Sequence, residues 1–341
     1  MFNSKNKTFY IFIVIILLIT SVVGSKIKQR LSNNETQDEY ALIKKYLLNE
    51  SPLYKDNKPK LWIHTKYEYN SRLWKSFYSR SSYDLNQPYI HLCIRTIIHH
   101  CGNDFNIILI DDNAFNKLIP SWKINLNEVA DPLKSRTRKI GLVELVYLYG
   151  GFVVPNTFIC KRNLHSLYLN EITNKRPFVC EMENNNTLHK HRFIPSFVFF
   201  GSVKNNPIVK ECLDFLKIQN ENPHISLEPD ITGVVSNMLM NKIRNNEINM
   251  VKAEWIGLKD KHNKLIQMED LFEEEYLDLH SENYGIYVND VLLLNRTKYN
   301  WFCVLPEDEI LKQSIYISKY IVSCLVELPK NIVKNTSTLS I

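Results

Sequence analysis

Hydrophobic and polar positions along this chain recur in two periods, and each period marks a kind of element. Residues 60–64, Lys-Leu-Trp-Ile-His, form a short apolar run directly after Pro59 and predict a first strand where the globular part begins. Residues 89–100 carry helical periodicity, and residues 106–112, ending in Asp111-Asp112, read as a second buried strand. Strand, helix and strand in that order imply a parallel crossover. Residues 133–149 predict a helix with Ile140, Val143, Val146 and Tyr147 on its apolar positions, ended by Gly150-Gly151 before the strand at 152–154. Further strands are expected at 177–180, 196–200 and 285–288, with helices at 207–218 and 233–244. The order predicts an α/β domain, a doubly wound mixed sheet flanked by helices. Ligands of such sheets bind beyond the carboxyl ends of the strands, so the residues just after each strand are the first to inspect.

The N-terminus adds a different signal. Residues 1–8 are a short polar tail with Lys5 and Lys7, and residues 9–24 run without a charge, a membrane-targeting segment. It reads as a single-pass type II signal anchor with the following domain lumenal or extracytoplasmic; Val22-Val-Gly24 before Ser25 also suits cleavage, which makes the product secreted. Residues 25–58 form a polar stem, residues 59–310 the globular domain, and residues 311–341 a C-terminal helix and tail. Asn-x-Ser/Thr triplets begin at Asn34, Asn49, Asn185, Asn295 and Asn335, with little weight in a chain this rich in Asn.

Composition then removes whole classes. The 341 residues are 45% hydrophobic, enough for a sizeable core, and a mean hydropathy of -0.23 excludes a polytopic membrane protein. Lys and Arg number 42 against 36 Asp and Glu, a net +6 spread along the chain, so nucleic-acid binding gets no support. With only 9 Gly and no GxGxxG or GxxxxGK[ST] pattern, dinucleotide and P-loop chemistry drop out. Seven cysteines without CxxC or CxxH spacing argue against a zinc site, and most sit in apolar runs as small hydrophobes.

Residues 142–164, LVELVYLYGGFVVPNTFICKRNL, resemble the DXD-containing glycosyltransferases of the capsular-polysaccharide and mannosyltransferase-like group, in which a helix ending in Tyr-Gly-Gly leads into a strand and an acidic turn. The segments 59–64, 107–112 and 197–208 are similar to that group in the same order, so the likeness covers roughly residues 59–220. The resemblance implies a GT-A-like fold and a nucleotide-sugar donor across the strand ends. It also implies hexose transfer, with retention at the anomeric carbon, to a glycan or glycoconjugate acceptor, and Mn²⁺ or Mg²⁺ held on the diphosphate by the acidic motif. A bound cation stabilises the charge that accumulates on a departing diphosphate. This chain departs from the pattern at that motif: Pro155-Asn156-Thr157 stands in its place, and Lys139 and Leu142 occupy the positions of the group's helix Asp and Arg. A non-catalytic relative that binds a glycan or a partner is therefore the second reading.

The loss of the first acid redirects attention to other residues. Asp111-Asp112 is the nearest remaining carboxylate pair, suited to oxygen ligation of a metal, to a ribose, or to capping a helix at Ala114. Arg136, Arg138 and Lys139 are cations able to neutralise a diphosphate directly, or a solvated helix face. His64 follows the first strand, facing a nucleotide or simply ending the strand, and the Thr157 hydroxyl suits a diphosphate or a metal-bound water. Asp230 before a helix is a base, a positioning carboxylate or a cap; Glu181 and Glu183 are a second acidic pair or polar surface; His280 and Trp301 are later candidates without a motif.

Overall fold

The computed structural model describes residues 58–65, 87–120, 122–184, 192–221 and 228–326. The larger of two compact units holds Lys58–Phe115 and the chain from Ile124 onward, and the segment Asn116–Lys123 groups outside it. The proposed membrane segment and the stem up to residue 57 lie outside the described residues, among which no helix is long and apolar enough to cross a membrane.

A six-stranded sheet forms the centre. In chain order its strands are β1 (Lys60–His64), β2 (Asn106–Ile110), β3 (Gly151–Val153), β5 (Phe178–Glu183), β6 (Phe193–Ser202) and β7 (Asn249–Val251), with β4 (Phe158–Cys160) lying apart. Their spatial order is β2-β1-β3-β6-β5-β7. β1 pairs in parallel with β2 and β3, β6 runs antiparallel to β3 and β5, and β7 is parallel to β5. Five strands therefore point one way and β6 the other. The carboxyl ends of β1, β3 and β5 and the amino end of β6 share one edge of the sheet. That edge gathers His64, the turn after Val153, Glu183 and the first residues of β6.

β1 shows why the sequence puts it in the middle. Leu61, Trp62 and Ile63 are all fully buried, as expected of a strand covered on both faces. β2 departs from the buried strand its apolar run predicts, because it is an edge strand with Leu109 49% exposed. Helix α1 (Pro88–Cys101) makes the crossover from β1 to β2, and the short α2 (Ala114–Leu118) follows β2. α3 (Leu133–Tyr149) feeds β3 through Gly150 and Gly151, both at positive φ (70° and 107°). A Cβ at Gly151 would stand 2.4 Å from the Lys60 carbonyl oxygen, so only glycine lets β3 close on β1 here. The Trp62 indole N–H donates to the Gly150 carbonyl at 2.9 Å and locks the same turn from below.

Beyond the sheet lie α4 (His165–Glu171), α5 (Pro207–Glu221) and α6 (Glu228–Arg244), with α3 packed against α5. A short α7 (Met268–Leu271) precedes β8 (Gly285–Tyr287), which pairs antiparallel with β4 as a two-stranded ribbon. The chain ends its described course in α8 (Asp290–Asn295), α9 (Glu307–Lys312) and α10 (Tyr316–Leu325). Two apolar clusters result. Phe152, Phe158, Phe178 and Phe199 meet edge-on or tilted under the main sheet, at centroid distances of 4.8–5.9 Å. A second cluster joins α1, the ribbon and α10 around Leu92, Ile286, Phe302 and Ile317, which makes the C-terminal helix part of the packed domain. All seven cysteines are buried and free, as their apolar neighbours in sequence predict.

Candidate functional site

The strand-end edge carries a buried three-residue ionic cluster. Arg138, on α3, donates through Nε to Oδ1 of Asp112 at 2.8 Å and through Nη2 to Oδ2 at 2.6 Å, a bidentate pair. His64, the last residue of β1, places Nε2 3.0 Å from the same Oδ1 and stacks on Phe115, with ring centroids 5.5 Å apart. Burial acts to raise the Asp112 carboxyl, but the hydrogen bonds from His64 and Arg138 outweigh it and hold the group well below the usual carboxylate range. Asp111 behaves differently: its Oδ1 accepts the Ala114 N–H at 2.9 Å and caps α2.

A cleft of about 230 Å³ opens beside this cluster. Ser135, Arg138, Lys139 and Leu142 line one wall, the i, i+3, i+4, i+7 stripe of α3. Pro155, Asn156 and Thr157 line the floor after β3, and Tyr287 and Asp290 close the far side after β8. Arg136, two residues from Arg138 and so on another side of the helix, lines a separate cavity of about 50 Å³ with Ile231 and Thr232 of α6. The three cations expected to act together are thereby divided, and Lys139 borders both spaces. Thr157 is 2% exposed, and its hydroxyl donates to the Val288 carbonyl at 2.7 Å, tying the turn after β3 to the end of β8. Burial, reinforced by the Asp290 carboxylate, pushes the Tyr287 hydroxyl up, so it stays a neutral donor.

Tyr287 also borders a neighbouring cleft of about 320 Å³ with Glu183, Asn289 and Arg296. Burial raises the Glu183 carboxyl above its ordinary value, with Arg192 and Arg296 pulling the other way. Glu181, two residues earlier on β5, is engaged elsewhere: Lys259 Nζ lies 3.1 Å from both its oxygens, and Oε2 accepts the Ala253 N–H. Asp230 stands in the first turn of α6. His280 precedes β8, where its Nδ1 accepts the Glu282 N–H at 3.1 Å, and Trp301 packs edge-on against Phe272 and Phe302. Neither borders the strand-end cleft. Ser135 and Tyr287 were not singled out from the sequence; the helical stripe through Arg138 and Lys139 is the signal that marks Ser135.

The donor set bears on a divalent cation. Both oxygens of Asp112 accept bonds from cationic or ring N–H groups, Asp111 caps a helix, and Pro155 supplies no side-chain donor. No three His, Cys, Asp or Glu side chains converge among the described residues. Asp290 is the carboxylate that lines the cleft, and alone it does not make the set of acidic oxygens that a resident Mn²⁺ or Mg²⁺ takes.

No protein-family model and no curated protein sequence matches the chain. Among solved structures it is similar to an active-site mutant of LgtC, at 8% identity and a TM-score of 0.37, over 80% of this chain and 98% of that one. It is also similar to 4-diphosphocytidyl-2C-methyl-D-erythritol synthase from Anaerococcus prevotii DSM 20548, at 9% identity and a TM-score of 0.31, over 63% of this chain and 95% of that one. Likeness at this level carries no argument about activity.

Proposed function

We propose that the strand-end cleft takes a nucleotide-diphosphate sugar and that the chain transfers its hexose to a glycan or glycoconjugate acceptor without a cation in the position of the lost acidic motif. The observation that carries this reading is the cleft itself, at the carboxyl ends of β1 and β3, walled by the face of α3 that carries Lys139 and floored by the Pro155-Asn156-Thr157 turn. The sequence resemblance supports the same donor class. Lys139 faces the diphosphate, the neutral Tyr287 hydroxyl donates to a sugar or phosphate oxygen, and the Asp112–Arg138–His64 cluster holds the strand ends in place.

Glu183 faces the acceptor from the adjoining space. The bond from the anomeric carbon to the diphosphate oxygen breaks, and the nucleotide diphosphate leaves with the electron pair. A bond from the same carbon to the acceptor oxygen forms, and the acceptor proton passes to the Glu183 carboxylate. Asp230 in the first turn of α6 is the alternative for that last role. The apolar segment at 9–24 anchors the domain to a membrane on its lumenal or extracytoplasmic side in this reading.

Pro155 favours a second reading, a domain that binds without transferring. Thermal shifts of residues 58–341 with UDP, GDP and their hexoses, with and without Mn²⁺, followed by assay of free nucleotide release, separate the two. The transferase reading expects stabilisation by one nucleotide sugar without Mn²⁺, and its slow turnover. Stabilisation without turnover, even with acceptor glycans present, selects the binding reading; no shift with any nucleotide overturns the transferase reading and favours a relative that binds a glycan or a partner.

A further inference from the structure

A larger cavity, of about 500 Å³, lies at the other end of the β4–β8 ribbon. Phe158 pairs with Tyr287 at the cleft end and Cys160 with Gly285 at the far end, so the three-residue ribbon lies between the two sites. Lys161 and Arg162 leave β4 directly into this cavity, and their backbone N–H groups both donate to the Tyr284 carbonyl, which fixes where they emerge. Three tyrosines line it in a row: Tyr276 meets Tyr316 edge-on at 6.1 Å, and Tyr316 meets Tyr320 at 5.7 Å.

Two of these rings hold cations. The Lys161 ammonium sits over Tyr320 at 5.5 Å, and the Lys319 ammonium over Tyr276 at 5.6 Å while also donating to the Glu274 carbonyl. Among the described residues no carboxylate pairs with Lys161, Arg162 or Lys319, and the one acid lining the cavity, Asp278, is ion-paired with Lys261. Lysines lying over ring faces lose less freedom on binding an anion than lysines extended in water. The volume falls within the ~300–1,000 Å³ of small-ligand sites.

We propose that this cavity is a second binding site, for an anionic sugar: a pyranose carrying a phosphate or a carboxylate. Lys161 and Arg162 take the anion at the β4 end, and the ring lies along the tyrosine row toward Lys319, the row's hydroxyls and apolar ring surface matching the two faces of a pyranose. It is separate from the cleft and does not rest on what the cleft binds.

Titration calorimetry on the full chain at low salt tests it, with glucose 6-phosphate, glucuronate, glucose and inorganic phosphate as probes. One of the two anionic sugars binds at least about tenfold tighter than glucose and than inorganic phosphate, and added salt weakens it. Which of the two binds decides between phosphate and carboxylate. The Lys161→Gln, Arg162→Gln double variant loses about tenfold or more of that affinity while keeping the thermal midpoint of the parent, and Tyr276→Ala weakens it by releasing Lys319. Failure of both anionic sugars at millimolar concentration, equal binding of glucose or of inorganic phosphate, or an unchanged double variant overturns the proposal.

Discussion

Arg138 and Asp112, 26 positions apart in the chain, meet in a two-point ion pair that joins the middle of α3 to the turn after β2. The Arg138 side chain is 5% exposed and that of Asp112 15%, so neither charge is solvated well enough to stand alone. With His64 on the same carboxylate, the pair ties β1, β2 and α3 together beside the cleft. It holds the cleft's shape and takes up a charge that the sequence offered for binding.

Removing one partner should therefore cost more than removing both. Arg138→Met or Asp112→Leu alone strands a buried charge and lowers stability by about 3 kcal/mol, measured by urea denaturation. The double variant is expected to recover part of that loss. Simple additivity of the two single losses would show that the pair is not coupled.

The same pair sets an acid limb. The folded Asp112 carboxyl titrates below its ordinary value of 3.8, so its contribution to stability is fully present above the unfolded value and is lost as pH falls from about 4 through the lower folded value. Thermal midpoints of the parent and of Asp112→Asn, recorded from pH 7 downward, should converge below pH ~4. A constant gap across that range would place the acid sensitivity elsewhere.

The turn into β3 has two supports that can be tested separately. Gly151→Ala combines a positive φ of 107° with a backbone collision and should cost about 2 kcal/mol or more. Trp62→Phe keeps most of the buried ring but leaves the Gly150 carbonyl without its indole donor, an expected loss of about 1–3 kcal/mol. A neutral Trp62→Phe would mean that water reaches that carbonyl.

Glu183 gives the transferase reading its sharpest kinetic test. Glu183→Gln should lower kcat by roughly 10²–10⁴ while leaving nucleotide-induced stabilisation intact. A base works deprotonated, and burial raises this carboxyl above 4.5, so activity should climb with pH through a limb above that value. Glu183→Gln should abolish the limb, and a limb that survives the substitution assigns the proton to another group.

Local periodicity made much of the fold legible. The bounds of β1 and α3 agree with the sequence reading residue for residue, because an apolar run after Pro59 and a helix ended by a Gly pair are signals carried within the elements themselves. β4 and β7 went unread, whereas the equally short β3 and β8 stood out behind a glycine as apolar runs; β4 and β7 are held by partners, β8 and β5, more than 70 positions away.

What the sequence by itself determined is the order of most strands and helices, the glycine turn into β3, and, from the rule for such sheets, which edge to inspect. Only the tertiary structure decided which side chains share that edge. It turned Arg136 and Arg138 to different cavities, spent Arg138 on Asp112, engaged Glu181 with Lys259 while leaving Glu183 at a cleft, and placed Lys161, Arg162 and Lys319 around one tyrosine row. The physical reason is range. Backbone preference and amphipathic period act over a few residues, whereas charge pairing and cleft geometry join residues tens to hundreds of positions apart, and no local pattern records them.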